Sequence, residues 1–324
     1  MKITEAAARQ WSKLGSRGTF GQAILALAQD RPRLVVLSAD LGNSSGLDRF
    51  KKTYPEQFLN VGIAEQNMVG VAAGLAKEGF EVFITSFAPF LAMRASEQIR
   101  MNMGYMNLPV KAVAIGSGVS MAYLGNSHYG IEDAAIMRAI PSMTVVAPAD
   151  CTEIVKTVFA AVDYPHPMYI RLTGAANNPM VYRQDYEFQI GRAITLREGG
   201  DITIIANGTM VYQSLEAAKL LQAQGIDATV VNMHTIKPLD THAIDRAVRS
   251  SRLIVSVEEH SVVGGLGSAV AEYKAGLQHA PPQLMLGLPD AFGKTGDYHY
   301  LLNTYGLTAE HLARRIRDRL QALA

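Results

Sequence analysis

The sequence predicts an α/β protein of two domains, each a mostly parallel sheet flanked by helices. Three observations predict it. Short β-branched runs alternate with stretches of helical period along the whole chain. A polar, irregular stretch at 173–189 breaks that alternation once, after which it resumes. A length of 324 residues is long for one core and ordinary for two. The boundary is expected near residue 185, giving domains 1–185 and 186–324.

The elements follow in order. Strands are expected at residues 34–37, 58–61, 82–84, 110–115, 144–146 and 169–172, where Val, Ile, Thr, Tyr and Phe gather. Helices are expected between them, notably at 19–29, 66–77, 90–106 and 152–162. The second series has strands at 202–205, 228–232, 253–256 and 283–286. No motif recurs at a fixed spacing, so the halves are two domains and not a sequence repeat.

Two helices have unusual surfaces. The one at 66–77 carries Gly70, Ala72, Ala73, Gly74 and Ala76. Glycine costs a helix about 1 kcal/mol, and close approach of another backbone is the natural compensation. The one at 90–106 holds Met93, Met101, Met103 and Met106, an adaptable apolar lining. Each is either core or part of a buried subunit interface.

Composition excludes several classes. With 48% hydrophobic and 18% charged residues the chain is globular and not disordered. A net charge of +1 gives no electrostatic reason for nucleic acid or an acidic surface as the main partner. No run of about 18 apolar residues occurs, so no spanning helix is expected. The opening Met1-Lys2-Ile3-Thr4-Glu5 lacks the apolar region of a secretory leader. The single cysteine, Cys151, follows Pro148-Ala149-Asp150 at an expected helix start, where a thiol is either somewhat activated or a small buried filler. These features point to the cytoplasm.

The most informative segment is Asn60-Val61-Gly62-Ile63-Ala64-Glu65-Gln66-Asn67. A strand ends in glycine, and a glutamate opens the small-residue helix. Alone, Glu65 is an anion at a helix N-terminus, worth about 0.3–1 kcal/mol. Further segments accompany it. Residues 83–98 read Phe-Ile-Thr-Ser-Phe-Ala-Pro-Phe-Leu-Ala-Met-Arg-Ala-Ser-Glu-Gln. Gly125-Asn126-Ser127-His128 is followed by Ile140-Pro141-Ser142-Met143 and Ala147-Pro148-Ala149-Asp150. Gly264-Gly265-Leu266-Gly267 follows Glu258-Glu259-His260.

Taken together these segments resemble the signature of the transketolase family, which includes deoxyxylulose-phosphate synthase and 2-oxo-acid dehydrogenase β-subunits. The resemblance covers nearly the whole chain and implies a pyrimidine-binding domain followed by a transketolase C-terminal domain. It implies thiamine diphosphate as cofactor, whose pyrimidine N1′ is hydrogen-bonded by a carboxylate so that the cofactor's own imino group acts as base. One well-oriented carboxylate in a dry pocket suffices for this, and the resemblance gives the role to Glu65. It likewise gives Phe87 the stacking on the aminopyrimidine and His128 a place near the reacting carbonyl. Asp40, in Ser38-Ala39-Asp40-Leu41, approaches the thiazolium by the same resemblance, although an aspartate leaving a strand is also an ordinary turn former. His260 and His299 have no counterpart and are read as structural.

By motif position an anion cradle maps onto Arg17, Ser44 and Arg171, because a guanidinium fork matches a phosphate. Two departures qualify the pocket. Gly116 stands where transketolase has a phosphate-binding histidine, which removes a donor and is expected to leave space. Leu124 stands where it has an aspartate that reads a substrate hydroxyl. The family holds the diphosphate and its Mg2+ or Ca2+ with Gly-Asp-Gly and a downstream asparagine, since a hard cation needs oxygen ligands there. Here Gly200-Asp201 opens a strand and Gly296-Asp297 has too little chain after it; Asn232, downstream of the first, is read as coincidence. No metal ligand is therefore expected in this chain. The diphosphate wall and its metal are expected from a transketolase N-terminal-half partner subunit, in an α2β2-type assembly. The expected activity is transfer of a two-carbon ketol unit from a ketose carrying phosphate or sulfonate to an aldose. The alternatives are a 2-oxo-acid dehydrogenase β-subunit and a deoxyxylulose-phosphate synthase-like enzyme.

Overall fold

Twelve strands build two sheets in the computed structural model, which describes residues 3–323; Met1 and Lys2, part of the opening stretch, lie outside them. The strands are β1 (Leu34–Ser38), β2 (Phe58–Asn60), β3 (Glu81–Phe87), β4 (Lys111–Ile115), β5 (Thr144–Val146) and β6 (Met168–Leu172), then β7 (Ile194–Arg197), β8 (Ile202–Ala206), β9 (Ala228–Asn232), β10 (Thr235–Lys237), β11 (Leu253–Ser261) and β12 (Gln283–Leu288). The first sheet has the order β10-β5-β6-β4-β3-β1-β2 and is parallel except for β10. The second has the order β12-β11-β8-β9-β7 and is parallel except for β7. Both sheets are mostly parallel and flanked by helices. β1, β4, β6, β8 and β9 are buried along their full length, as strands covered on both faces must be.

Two strands were not legible in the sequence. β7 and β10 lie at sheet edges, where one neighbour is missing and burial enforces no apolar run. β10 also crosses the expected division, since residues 235–237 pair with β5 of the first sheet through Thr235 and Val146. The first helix, Glu5–Leu27, starts well before residue 19. Gly15 there has φ 74°, so the helix kinks and continues, and a Cβ at that glycine would stand 2.9 Å from Ala176 Cα.

The helix Glu65–Lys77 buries Met68, Val69, Ala72, Ala73 and Ala76. Its other face is open, and a Cβ added at Gly70 or Gly74 would meet no atom within 4 Å. The segment after β3 is wound largely as π-helix, over Phe90–Arg94 and Ile99–Tyr105. Met103 turns inward, whereas Met93, Met101, Tyr105 and Met106 are exposed. Cys151 is buried at the start of Cys151–Val162, and burial pushes its thiol up to about 12. No helix among the described residues is long and apolar enough to cross a membrane.

Candidate active site

The chain runs from β1 outward to β2 and returns to lay β3 on the other side of β1. The crevice beyond the carboxyl ends of β1 and β3 is therefore a topological switch point, where open α/β sheets bind ligands. Asp40 leaves β1 there with φ 60°, a left-handed conformation that costs a side-chain-bearing residue energy and persists when neighbours enforce it. Asn60 enforces it. Its Nδ2 donates to Asp40 Oδ1 at 2.9 Å, and its Oδ1 accepts from Asp40 N at 3.0 Å and Gly62 N at 3.1 Å.

Gly62, with φ 74°, turns the chain into the helix that begins with Glu65. Glu65 is 1% exposed. Ser86 Oγ of β3 donates to its Oε1 at 3.1 Å, and Arg94 Nη1 donates to Oε1 and Oε2 at 3.1 and 3.0 Å. The Arg94 side chain is 46% exposed and lies 4.0 Å above the Phe90 ring. A buried carboxylate is thus held by one neutral donor and one cation that stands half in solvent.

His128 closes the other side. Its ring lies edge-on to Phe87 and to Phe90, at 5.3 Å from each centroid, and the two phenylalanines are 5.7 Å apart. Ser127 Oγ is 2.9 Å from His128 Nδ1. Phe87 is only 6% exposed and belongs mostly to the core, whereas Phe90 is half-buried and presents more ring. A buried carboxylate, an aromatic pair and a half-buried imidazole suit the aminopyrimidine half of thiamine diphosphate. Among the described residues no group of three or more His, Cys, Asp or Glu side chains could hold a metal ion.

The three expected anion ligands are not brought together. Ser44 lines a 260 Å³ cleft with Asp40, Lys51 and Asn60. Arg17 is exposed on the first helix, whose backbone meets the Ser44 loop so closely that a Cβ at Gly46 would sit 2.6 Å from Arg17 O. Arg171 lies elsewhere. It is 1% exposed, its Nε donates to Asp133 Oδ1 at 2.8 Å, and its Nη2 donates to Gly130 O and Glu259 O at 2.9 and 2.8 Å. Burial opposes its charge, yet the Asp133 carboxylate beside it holds its pKa above the ordinary value. A substrate anion has no access to it in this arrangement.

The expectation for Gly116 is corrected. The expected space beside it is filled by Met121, whose Cγ would stand 2.6 Å from an added Cβ. Leu124 is 51% exposed and offers only apolar surface. His260 is buried, its Nδ1 donating to Ser261 O at 2.7 Å and its Nε2 accepting from Ala135 N at 3.3 Å. His299 is exposed. Asn232 is a peg between the domains, donating to both oxygens of buried Glu153 at 2.9 and 3.0 Å. Arg94, Phe90, Ser86 and Asn60 were missed as site residues. All four lie within the segments that carried the motifs, but only the fold shows which of their side chains converge.

Known proteins resemble this arrangement over both domains. Residues 12–178 match the family described as transketolase, pyrimidine binding domain, and residues 191–312 match transketolase, C-terminal domain. The chain is 40% identical to the 6-deoxy-6-sulfo-D-fructose transketolase subunit SqwH of Clostridium sp. (strain MSTE9), over 93% of each chain. It is 37% identical to an apulose-4-phosphate transketolase subunit of Phocaeicola vulgatus, over 93% of this chain and 96% of that one. A solved split gene transketolase, described as an inactive beta4 tetramer, superposes with a TM-score of 0.85 at 42% identity, covering 94% of this chain and 98% of that one.

Proposed function

The chain belongs to the transketolase family, and from that premise we propose that it is the pyrimidine-side subunit of a thiamine diphosphate-dependent, two-component transketolase of the cytoplasm. It transfers a two-carbon ketol unit from a ketose bearing phosphate or sulfonate to an aldose. The observation that carries this reading is the buried Glu65 carboxylate, whose partner Arg94 lies over Phe90, the ring that clusters with Phe87 and His128. When bound, thiamine diphosphate would supply the nucleophilic carbon that ketol transfer needs. Glu65 holds the proton at pyrimidine N1′, the phenylalanines exclude water, and His128 hydrogen-bonds a substrate hydroxyl. Asp40, whose side chain Asn60 holds, would face the thiazolium.

A partner subunit supplies the diphosphate wall and its Mg2+ or Ca2+, and the assembly is of α2β2 type. Coverage of 93–96% of the relatives named as subunits supports a separate partner chain. The open face of Glu65–Lys77, with the exposed methionines beside it, supports subunit contact there. The substrate anion is held by Arg17 and Ser44, with Lys51 lining the same cleft as Ser44. The boundary near residue 185 is kept for the two domains.

The test measures cofactor binding calorimetrically and ketol transfer with phosphorylated, sulfonated and neutral ketoses, for the chain alone and with the chain that co-purifies with it. Weak binding and no turnover alone, with both restored by the partner, are expected. Robust turnover by the purified chain alone would sink the two-component reading. Transfer to a lipoyl domain and to no aldehyde would move the function to a 2-oxo-acid dehydrogenase.

A further inference from the structure

The loop that carries His128 leaves the first sheet after β4 and is gripped at both ends by the second domain. Its neck is closed by reciprocal backbone bonds, Gly118 N to Gly130 O at 2.8 Å and Gly130 N to Gly118 O at 3.0 Å. There Glu259 of β11 accepts from Val119 N at 2.8 Å. The same carboxylate is fixed in its own domain by Thr209 Oγ1 and the Tyr298 hydroxyl, both at 2.7 Å. Gly118 has φ 68°, and a Cβ there would collide with the Glu259 carboxylate.

The tip of the loop is held independently. Asn126 makes a reciprocal pair with the backbone of Gly293, its Nδ2 donating to Gly293 O at 2.8 Å and its Oδ1 accepting from Gly293 N at 2.9 Å. A side-chain amide that satisfies both backbone groups of one residue fixes distance and orientation together. The Tyr129 hydroxyl reaches Ala122 O at 2.6 Å and Lys294 O at 3.2 Å. Lys294 N in turn donates to the Tyr305 hydroxyl at 2.8 Å, tying the second-domain loop to its own helices. His128 stands between this hold and the rings of Phe87 and Phe90, which belong to the first domain.

We infer that the second domain, which contributes no group to the proposed site, sets the position of His128 through this clasp, with Asn126 as the positioning residue. The inference rests on the reading that His128 meets the substrate. Asn126 is exposed, so its bonds, made at the surface, contribute little to folding. Their yield is geometric. A shift of about 1 Å in a group that must meet a reacting atom costs up to about 10²-fold in rate.

The test uses the full chain with 13C-labelled histidine, alone and assembled with its partner chain. His128→Gln identifies the Cε1–H resonance of His128, which the two neighbouring rings displace. In Asn126→Ala that resonance moves toward that of an exposed histidine such as His279. Tyr305→Phe, which removes the acceptor of Lys294 N, moves it the same way by less, and the double variant moves it no further than Asn126→Ala alone. In the assembled enzyme Asn126→Ala lowers kcat about 10- to 10²-fold and leaves cofactor affinity within about twofold. An unmoved resonance in Asn126→Ala overturns the inference, and so does a moved resonance with unchanged kcat. Absence of ketol transfer in the parental complex counts against the functional reading instead, while the resonance decides the clasp without it.

Discussion

Glu65 and Arg171 are both charged and both about 1% exposed, Arg171 on β6 and Glu65 at the start of the helix Glu65–Lys77. Each has an oppositely charged partner at 2.8–3.0 Å. The partners differ. Asp133, opposite Arg171, is 0% exposed, and the guanidinium also binds carbonyls from the histidine loop and from β11. Arg94, opposite Glu65, is 46% exposed and rests on an aromatic ring. One pair is sealed and joins two domains. The other leaves its cation half in solvent. Burial of a charge is therefore no mark of function by itself, and the freedom of its partner to leave is the better one.

The comparison breaks most visibly at Arg171. Arg171→Ala leaves Asp133 buried without its cation, which costs about 3–5 kcal/mol of stability in denaturant unfolding of the chain alone. A change below about 1 kcal/mol, with selective loss of affinity for anionic ketoses in the complex, would return Arg171 to the anion site. Glu65→Gln tests the other side. It keeps shape and the Ser86 bond but loses the anion, so proton exchange at the cofactor's C2 slows by at least about 10²-fold in the assembled enzyme. Exchange at the parental rate would leave Glu65 as a helix-terminus anion only.

The same contrast explains what was legible in the sequence. β1, β4 and β6 announced themselves because both faces are covered, so nearly every residue must be apolar or β-branched. β7 and β10 are edge strands under no such demand. In the proposed site, Glu65 and His128 stand out only through the family resemblance of their segments, since alone each reads as a helix-start anion and an ordinary loop histidine. Arg171 shows what motif position leaves out. Motif position fixes where a residue lies along a strand, but not whether its charge meets solvent, and Asp133 lies 38 positions away in the chain. Arg94 was missed for the complementary reason. It sits in a segment whose expected α-helical register is replaced by π-winding, so sequence spacing does not show which face it shares with Glu65.

The finest expected difference is in how strongly each pair is coupled. A double-mutant cycle of Glu65→Gln and Arg94→Met, read by denaturant unfolding of the chain alone, gives a coupling of about 1 kcal/mol or less. Half of the Arg94 side chain lies in water, where the attraction is screened and side-chain entropy opposes it. The parallel cycle of Asp133→Asn and Arg171→Met gives about 2 kcal/mol or more, since that pair has no solvent to fall back on. Salt separates them further. Raising ionic strength from about 0.1 to 1 M shortens the screening length from about 10 to 3 Å, which weakens the first coupling and leaves the second within error. Equal couplings with equal salt dependence would mean that Glu65 is as sealed as Arg171, and that no ligand displaces Arg94 without local unfolding.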